Sequence, residues 1–161
     1  MKNESPAKVQ IKPELKLLYA SSIEIDVPQM LGPTPHGERK IINITGGTFE
    51  GPRMKGRVLP GGADWQIIGN DKTAEVEARY TLETEDGELI YIYNWGYRHG
   101  PPEVIERLAL GEQVDPNEYY FRTTPRFETS AKAYDWLNRI VCIAIGERKS
   151  DVVNITVYEV S

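Results

Sequence analysis

The chain has 161 residues, of which 24 are acidic and 19 are basic, and its formal net charge is −5. A chain of this length can bury about two-thirds of its unfolded surface, so it can build a core without disulfides or structural metal. The acidic balance argues against a general nucleic-acid binder, and no apolar run reaches the ~20 residues of a helical membrane span.

Residues 1–13 are polar and contain no apolar run of the kind that directs secretion. We therefore expect a flexible N-terminal tail over residues 1–13, a single domain over residues 14–161, and a cytoplasmic protein. The single cysteine, Cys142, is consistent with this expectation because it cannot form an internal disulfide.

Short runs of β-branched and aromatic residues follow, separated by turns rich in glycine and proline. This spacing is typical of an all-β protein. In chain order, the predicted strands cover residues 15–27, 40–49, 54–59, 63–68, 74–83, 89–97, 119–128, 140–145 and 152–160, with a loop at 28–37 and one short helix near residues 101–110. Residues 140–145 are apolar at every position, so we expect both faces of that strand to be covered.

Eight to ten strands with one connecting helix favour a closed, mainly antiparallel β-barrel, because closure removes strand edges that would otherwise aggregate. A β-sandwich of two sheets is the alternative. The clearest alternation lies in residues 74–83, where an apolar face opposes a charged one. After the hairpin signal Asp86-Gly87, the returning strand carries its aromatic rings on one side and Asn94, Gly96 and Arg98 on the other.

The strand over residues 119–128 has two faces of different chemistry. Strand periodicity places a polar set on one face, namely Tyr120, Arg122, Thr124, Arg126 and Glu128. If the opposite, aromatic face packs on the core, the arginine face is simply solvated. Alternatively, the arginine face lines the barrel interior, where guanidinium groups would bind a carboxylate or a carbonyl-bearing ligand. We adopt the second arrangement as the geometric hypothesis.

Two residues are candidate proton carriers. Asp64 precedes Trp65, and an indole that desolvates the carboxyl group would raise its pKa; a turn carboxylate bonded to nearby backbone is the competing interpretation. His36 lies in a loop stiffened by prolines, where Glu38 or Arg39 could tune its pKa; a surface histidine in a turn is the alternative.

Other side chains are candidates for substrate binding without a decisive pattern. Glu50 lies in a glycine and proline turn, and Asn94 precedes Trp95 in a strand. Two histidines and one cysteine do not form a recognised zinc spacing, so no metal site is expected. The glycine-rich stretch before Asp64 lacks the lysine and the following helix of a phosphate-binding loop, so no cofactor is expected either.

Several sequence blocks occur together in a fixed order: GPTPHGER at residues 32–39, GGTFEGPR at 46–53, GRVLPGGADW at 56–65, YYFRTTPRFET at 119–129, YDWLN at 134–138 and VYEV at 157–160. In these blocks the chain resembles the domain of unknown function 3237 family. The resemblance implies a small single-domain β-barrel without a generally established activity; some fungal relatives are linked to natural-product pathways with cofactor-free ring closure. By the same resemblance, the recurrent blocks contain His36, Arg39, Glu50, Asp64, Trp65, Arg122, Arg126, Glu128 and Asn138.

Three functions follow as hypotheses. The first is a cofactor-independent acid/base enzyme of the isomerase, cyclase or hydratase type, acting on a small, partly apolar molecule with a carbonyl, enol or carboxylate group. In it, Asp64 or His36 moves the proton and the arginines of residues 119–128 hold negative charge. The apolar wall would comprise Trp65, Trp95 and Tyr120. The second is a non-catalytic binding barrel for a small molecule, and the third is a structural subunit of a homo-oligomer.

Overall fold

Ten strands and one short α-helix form the part of the chain that the computed structural model describes, residues 11–161. The strands are β1 (Leu15–Ile25), β2 (Gln29–Thr34), β3 (Gly37–Glu50), β4 (Lys55–Val58), β5 (Ala63–Ile68), β6 (Ala74–Thr84), β7 (Leu89–His99), β8 (Tyr120–Glu128), β9 (Val141–Arg148) and β10 (Val152–Val160). The α-helix is α1 (Pro102–Ala109), and 3-10 turns cover Pro116–Glu118 and Lys132–Arg139. Most of the predicted tail over residues 1–13 lies outside the described residues.

The strands close into an antiparallel barrel, which confirms the predicted fold class. Eight strands follow one another around the barrel in the order β1, β10, β9, β8, β7, β6, β5 and β3, and β3 pairs with β1 to complete the circle. The two remaining strands extend this frame. β4 also lies between β3 and β6, further along β3 than β5, and β2 pairs with the first part of β3.

Residues 28–37, which we predicted to be a loop, instead contain β2 and the start of β3. β2 is an edge strand, so the missing N–H of Pro33 does not interrupt a ladder on its free side. Its register with β3 shifts between Met30 and Gly32, and Gly32 adopts a φ of 79°, a conformation that favours glycine. Glycine and proline signals therefore marked an irregular edge strand here.

The barrel interior has one apolar end and one polar end. Large buried side chains fill the apolar end: Tyr19, Phe49, Leu82, Ile90, Ile92, Phe127 and Val157. The other end, where the last residues of β7 and β9 meet α1, contains charged side chains. A ligand that enters the barrel interior would therefore enter at the second end.

The outer wall of β9 departs from expectation. Cys142 and Ala144 are buried, but Val141, Ile143 and Ile145 are 67%, 37% and 39% exposed, so the prediction that both faces of this strand are covered is wrong. A closed barrel has a single filled interior, and alternate residues of every strand therefore face outward. Whether copies of the chain cover this face as a homo-oligomer stays a prediction.

Candidate functional site

A pocket opens at the polar end of the barrel and continues inward as a smaller chamber. The outer pocket has a volume of about 500 Å³ and lies between β2, β3, β5 and α1. The inner chamber has a volume of about 50 Å³. Ile42, Arg98 and Arg148 line both spaces, so these three side chains mark the boundary between them.

Asp64 lies at the inner chamber, where β5 and β6 separate locally. The ladder pairs Asp64 with Ala78 and then Ile67 with Glu75, and it is interrupted between these pairs. The carboxylate occupies this gap: Oδ1 accepts the backbone N–H of Glu77 at 3.0 Å, and Oδ2 accepts Nε2 of Gln66 at 3.1 Å. Burial raises the pKa of Asp64, and these two hydrogen bonds and the nearby arginines only partly oppose the rise.

Two arginines face the same space. Arg98, from β7, donates from Nη2 to Oε1 of Gln66 at 3.4 Å, and its guanidinium lies 5.6 Å from the ring centre of Phe121. Arg148, from the end of β9, forms no ion pair with any carboxylate in residues 11–161, and neither does Arg98. Burial lowers the pKa of Arg98, and burial together with the charge of Arg98 lowers the pKa of Arg148 to about 10.

Positive charge exceeds negative charge around the chamber. Lys40 lines the outer pocket and is half-buried, and burial lowers its pKa, although Glu38 opposes this effect. Arg98 and Arg148 thus share the inner chamber lining with Asp64, its acidic residue, and Lys40 adds a third positive charge at the outer pocket. An electron-rich oxygen on a ligand would be stabilised there, because guanidinium donors in a partly dry site are oriented before the ligand arrives.

Three buried polar atoms at the chamber have no hydrogen-bond partner among residues 11–161: Oδ1 of Asn94, Oγ1 of Thr123 and Nη1 of Arg148. Asn94 is 3% exposed and Thr123 is 5% exposed. Each buried polar group that lacks a partner costs about 1–3 kcal/mol, and such groups are rare in folded proteins. Their convergence on one chamber is the arrangement expected of a ligand site.

The polar face of β8 points outward, so our geometric hypothesis for residues 119–128 is wrong. Arg122 is half-buried on the outer wall, donates to the carbonyl of Phe121 at 2.9 Å and stacks 5.3 Å from the ring of Tyr120. Arg126 and Glu128 are exposed. The opposite face, with Phe121, Thr123, Pro125 and Phe127, fills the interior because its apolar rings gain more from burial than the guanidinium groups would.

The structure brings together Asp64 and Asn94 and places the other predicted site residues elsewhere. His36 is exposed in the turn between β2 and β3. Arg39 donates to the carbonyl of Trp65 at 2.8 Å, and that indole is 38% exposed on the outer wall. Trp95 donates from Nε1 to Glu75 at 2.8 Å.

Three further predicted residues are also remote from the chamber. Tyr120 is 46% exposed and stacks on His99, with ring centres 4.8 Å apart. Glu50 lies in a groove on the outer surface. Asn138 joins two segments of chain, since Oδ1 accepts the N–H of Thr129 and Nδ2 donates to its carbonyl, both at 2.9 Å.

The sequence analysis did not select Gln66, Thr123, Arg148 or Arg98 as site residues. Arg98 carried a signal, since it shares a strand face with Asn94. Arg148 continues the alternation of Cys142 and Ala144 beyond the apolar run, so extending the predicted strand by three residues would have placed it inside.

Two further findings concern metal binding and membrane-spanning helices. Within residues 11–161, no three histidine, cysteine or acidic side chains are grouped so that they could hold a metal ion. Over the same described range, no helix has the length and apolar character needed to cross a membrane.

Comparison with known proteins gives consistent matches. Residues 13–160 match the model of a family described as "Protein of unknown function (DUF3237)". A UPF0311 protein from Rhodopseudomonas palustris is 42% identical over 147 residues, 91% of this chain and 96% of that protein. The crystal structure of a beta-barrel like protein from Acinetobacter baumannii is 42% identical with a TM-score of 0.83, over 96% of this chain and 99% of that one. The hydroalkoxylation enzyme phnH from Penicillium herquei is 23% identical over 128 residues, 80% of this chain and 70% of that protein.

Proposed function

Since this chain belongs to the family of proteins of unknown function (DUF3237), its activity must be inferred from its site, and we propose that it is a cofactor-independent acid/base enzyme. Its substrate would be a small, partly apolar molecule with a carbonyl, enol or carboxylate group. The observation that carries this proposal is the position of Asp64, a partly buried carboxyl with a raised pKa that lines one chamber together with two arginines.

Asp64 fits the role of proton carrier. A carboxylate has about four acceptor positions, and the hydrogen bonds from Glu77 and Gln66 use one on each oxygen. The remaining positions are available to a substrate in the chamber. A raised pKa lies closer to neutral pH, and a group with such a pKa can accept a proton in one step and return it in the next. The exposed His36 is remote from this chamber, so Asp64 is the stronger candidate.

Arg98 and Arg148 take the role that the sequence analysis gave to Arg122 and Arg126. When Asp64 removes a proton from carbon next to a carbonyl, negative charge moves to the carbonyl oxygen, and the guanidinium groups can stabilise it. Gln66 bonds both Asp64 and Arg98, so it fixes the acid relative to the cation. Returning the proton to another atom of the same molecule completes an isomerisation; a ring closure also needs an O–H oxygen of the molecule to bond to a carbon of its double bond, while the proton from that O–H moves to the neighbouring carbon.

A relative supports the catalytic assignment. The Penicillium herquei protein is named as a hydroalkoxylation enzyme. Hydroalkoxylation adds the O–H bond of an alcohol across a carbon–carbon multiple bond: the π bond breaks, a C–O bond forms, and the proton moves from oxygen to carbon. The isomerase, cyclase or hydratase type proposed here belongs to the same class of chemistry.

A non-catalytic binding barrel for a small anion is the second candidate. The excess of positive charge around the chamber favours it, because the arginines would hold an anionic ligand without help from Asp64. The two candidates differ in what they require of Asp64, so one variant separates them.

The test uses 2-tetralone, a bicyclic ketone with acidic hydrogens next to its carbonyl. NMR in D₂O would measure the rate at which these hydrogens exchange with and without the protein. We expect the wild type to accelerate exchange and Asp64→Asn to lose about 10²-fold or more of that acceleration. Arg122→Gln, which alters a guanidinium on the outer wall, is the matched control and should behave as the wild type.

Two results would contradict the enzyme assignment. One is exchange by Asp64→Asn at the wild-type rate, and the other is no acceleration by the wild type although NMR titration shows that 2-tetralone binds. The second result would favour the binding barrel.

A further inference from the structure

The lining of the inner chamber restricts the chemical nature of a ligand more than the lining of the outer pocket does. Its walls are mostly apolar, with Ile23, Ile44, Val76 and Ile155 among them. Asn94, Thr123 and Arg148 also line the chamber, and each carries a buried polar atom without a hydrogen-bond partner in the described range: Oδ1 of Asn94, Oγ1 of Thr123 and Nη1 of Arg148. A pattern of hydrogen-bonding atoms on an apolar wall defines which chemical group can occupy the space.

The hydrogen-bonding capacity of these atoms is unequal. Oδ1 of Asn94 only accepts, Nη1 of Arg148 only donates, and the hydroxyl of Thr123 can do either. A group that satisfies all three must donate at least one hydrogen bond and accept at least one. A hydroxyl meets this requirement. A carboxylate cannot donate to Asn94, and a methyl group can do neither.

Size restricts the group further. A volume of about 50 Å³ has room for only a few water molecules, so the chamber admits a head group of a few heavy atoms. The outer pocket is about ten times larger and has apolar walls that include Met30, Ile68 and Ile105. The body of a ligand fits there while its head group enters the chamber beside Asp64.

We propose that the inner chamber is a recognition subsite for a hydroxyl head group of the phenol or enol type, carried on an apolar ring system. The hydroxyl donates to Asn94 Oδ1 and accepts from Arg148 Nη1, and Thr123 supplies the third contact. The inference rests on the proposed function in one respect: an enol forms from a ketone in this chamber when Asp64 takes a proton from the carbon next to the carbonyl and returns it to the carbonyl oxygen.

The test compares three bicyclic probes of similar size by calorimetry or by NMR titration. The probe 2-naphthol carries the hydroxyl, 2-methylnaphthalene replaces it by a methyl group, and 2-naphthoate replaces it by an anion. We expect the wild type to bind 2-naphthol about ten-fold or more tightly than 2-methylnaphthalene, because the methyl probe leaves the chamber atoms unpaired. Thr123→Val and Asn94→Leu should each reduce this preference several-fold.

A matched control keeps the interpretation specific. Thr81→Val makes the same chemical change as Thr123→Val, but on the outer face of β6, and it should keep the full preference for 2-naphthol. Urea denaturation of each variant would confirm that it is folded. Because Thr123→Val preserves side-chain shape, it provides a usable result even where Asn94→Leu fails to fold.

Four outcomes would overturn the subsite: equal affinity of the wild type for 2-naphthol and 2-methylnaphthalene, tighter binding of 2-naphthoate than of 2-naphthol, an unchanged preference in Thr123→Val, and no binding of any probe. These measurements concern affinity alone. They are therefore independent of hydrogen exchange in 2-tetralone, and the subsite can fail while the acid/base assignment stands, or the reverse.

Discussion

Replacing Thr123 by valine should stabilise the protein. Valine keeps the Cγ2 methyl that packs near Gly96, where a Cβ built on that glycine would lie 2.8 Å from it. The second methyl takes the place of Oγ1, a buried atom without a partner among the described residues. Removing the desolvation cost of such a hydroxyl increases the free energy of unfolding by about 1–3 kcal/mol.

Urea denaturation followed by tryptophan fluorescence would measure this change, and thermal unfolding would report it as a rise in Tm of about 2–4 °C per kcal/mol. The control Thr81→Val should stay within about 0.5 kcal/mol of the wild type. A loss of stability in Thr123→Val with an unchanged m-value would refute the reasoning, because it would mean that the hydroxyl is satisfied in the folded protein. If Thr123→Val is more stable than the wild type and also binds 2-naphthol more weakly, the hydroxyl of Thr123 lowers the stability of the protein but strengthens ligand binding.

Two more predictions concern the stability of the protein. Gly96→Ala should lower the free energy of unfolding, measured in urea, by about 3 kcal/mol or more, because the new Cβ would lie 2.2 Å from the carbonyl oxygen of Arg122. The control Gly69→Ala should lower it far less, because a Cβ at that position would meet only the side chain of Asp71. Equal losses in the two variants would contradict this account. Burial raises the folded-state pKa of Asp64 above the unfolded value near ~3.9, so the stability of the wild type relative to Asp64→Asn should fall as pH rises above about 4 and through the folded-state pKa. A relative stability that rises over that range would show that the pKa is lowered instead.

Strand positions were predictable because their burial pattern is local. The alternation of residues 74–83 predicts the buried face of β6, and the signal at Asp86-Gly87 predicts the hairpin that joins it to β7. The helix near residues 101–110 and the strand over 63–68 lie where proline, glycine and apolar spacing place them. Each of these predictions uses information within about ten residues of chain.

Site composition was less predictable because it depends on which face of a strand turns inward. On β8, one face carries rings and the other carries arginines beside a tyrosine, so either could have been chosen from that strand alone. The decision comes from partners: Phe121 packs under Gly146 of β9 and beside Arg98 of β7. Asp64, predicted as a proton carrier, lies in the chamber lining, but its partner Gln66 and the gap in the β5–β6 ladder depend on pairing across strands.

The apolar plug formed by residues such as Tyr19, Leu82 and Ile92 affects how a ligand can enter and leave the barrel. Because this end is closed, a ligand that enters beside α1 must also leave there. Two different reactants would have to enter through the same opening, and the first to bind would obstruct the second. This geometry suits the rearrangement of a single molecule. Under the proposed function, release of the product, whose head group would leave the chamber last, would limit the rate.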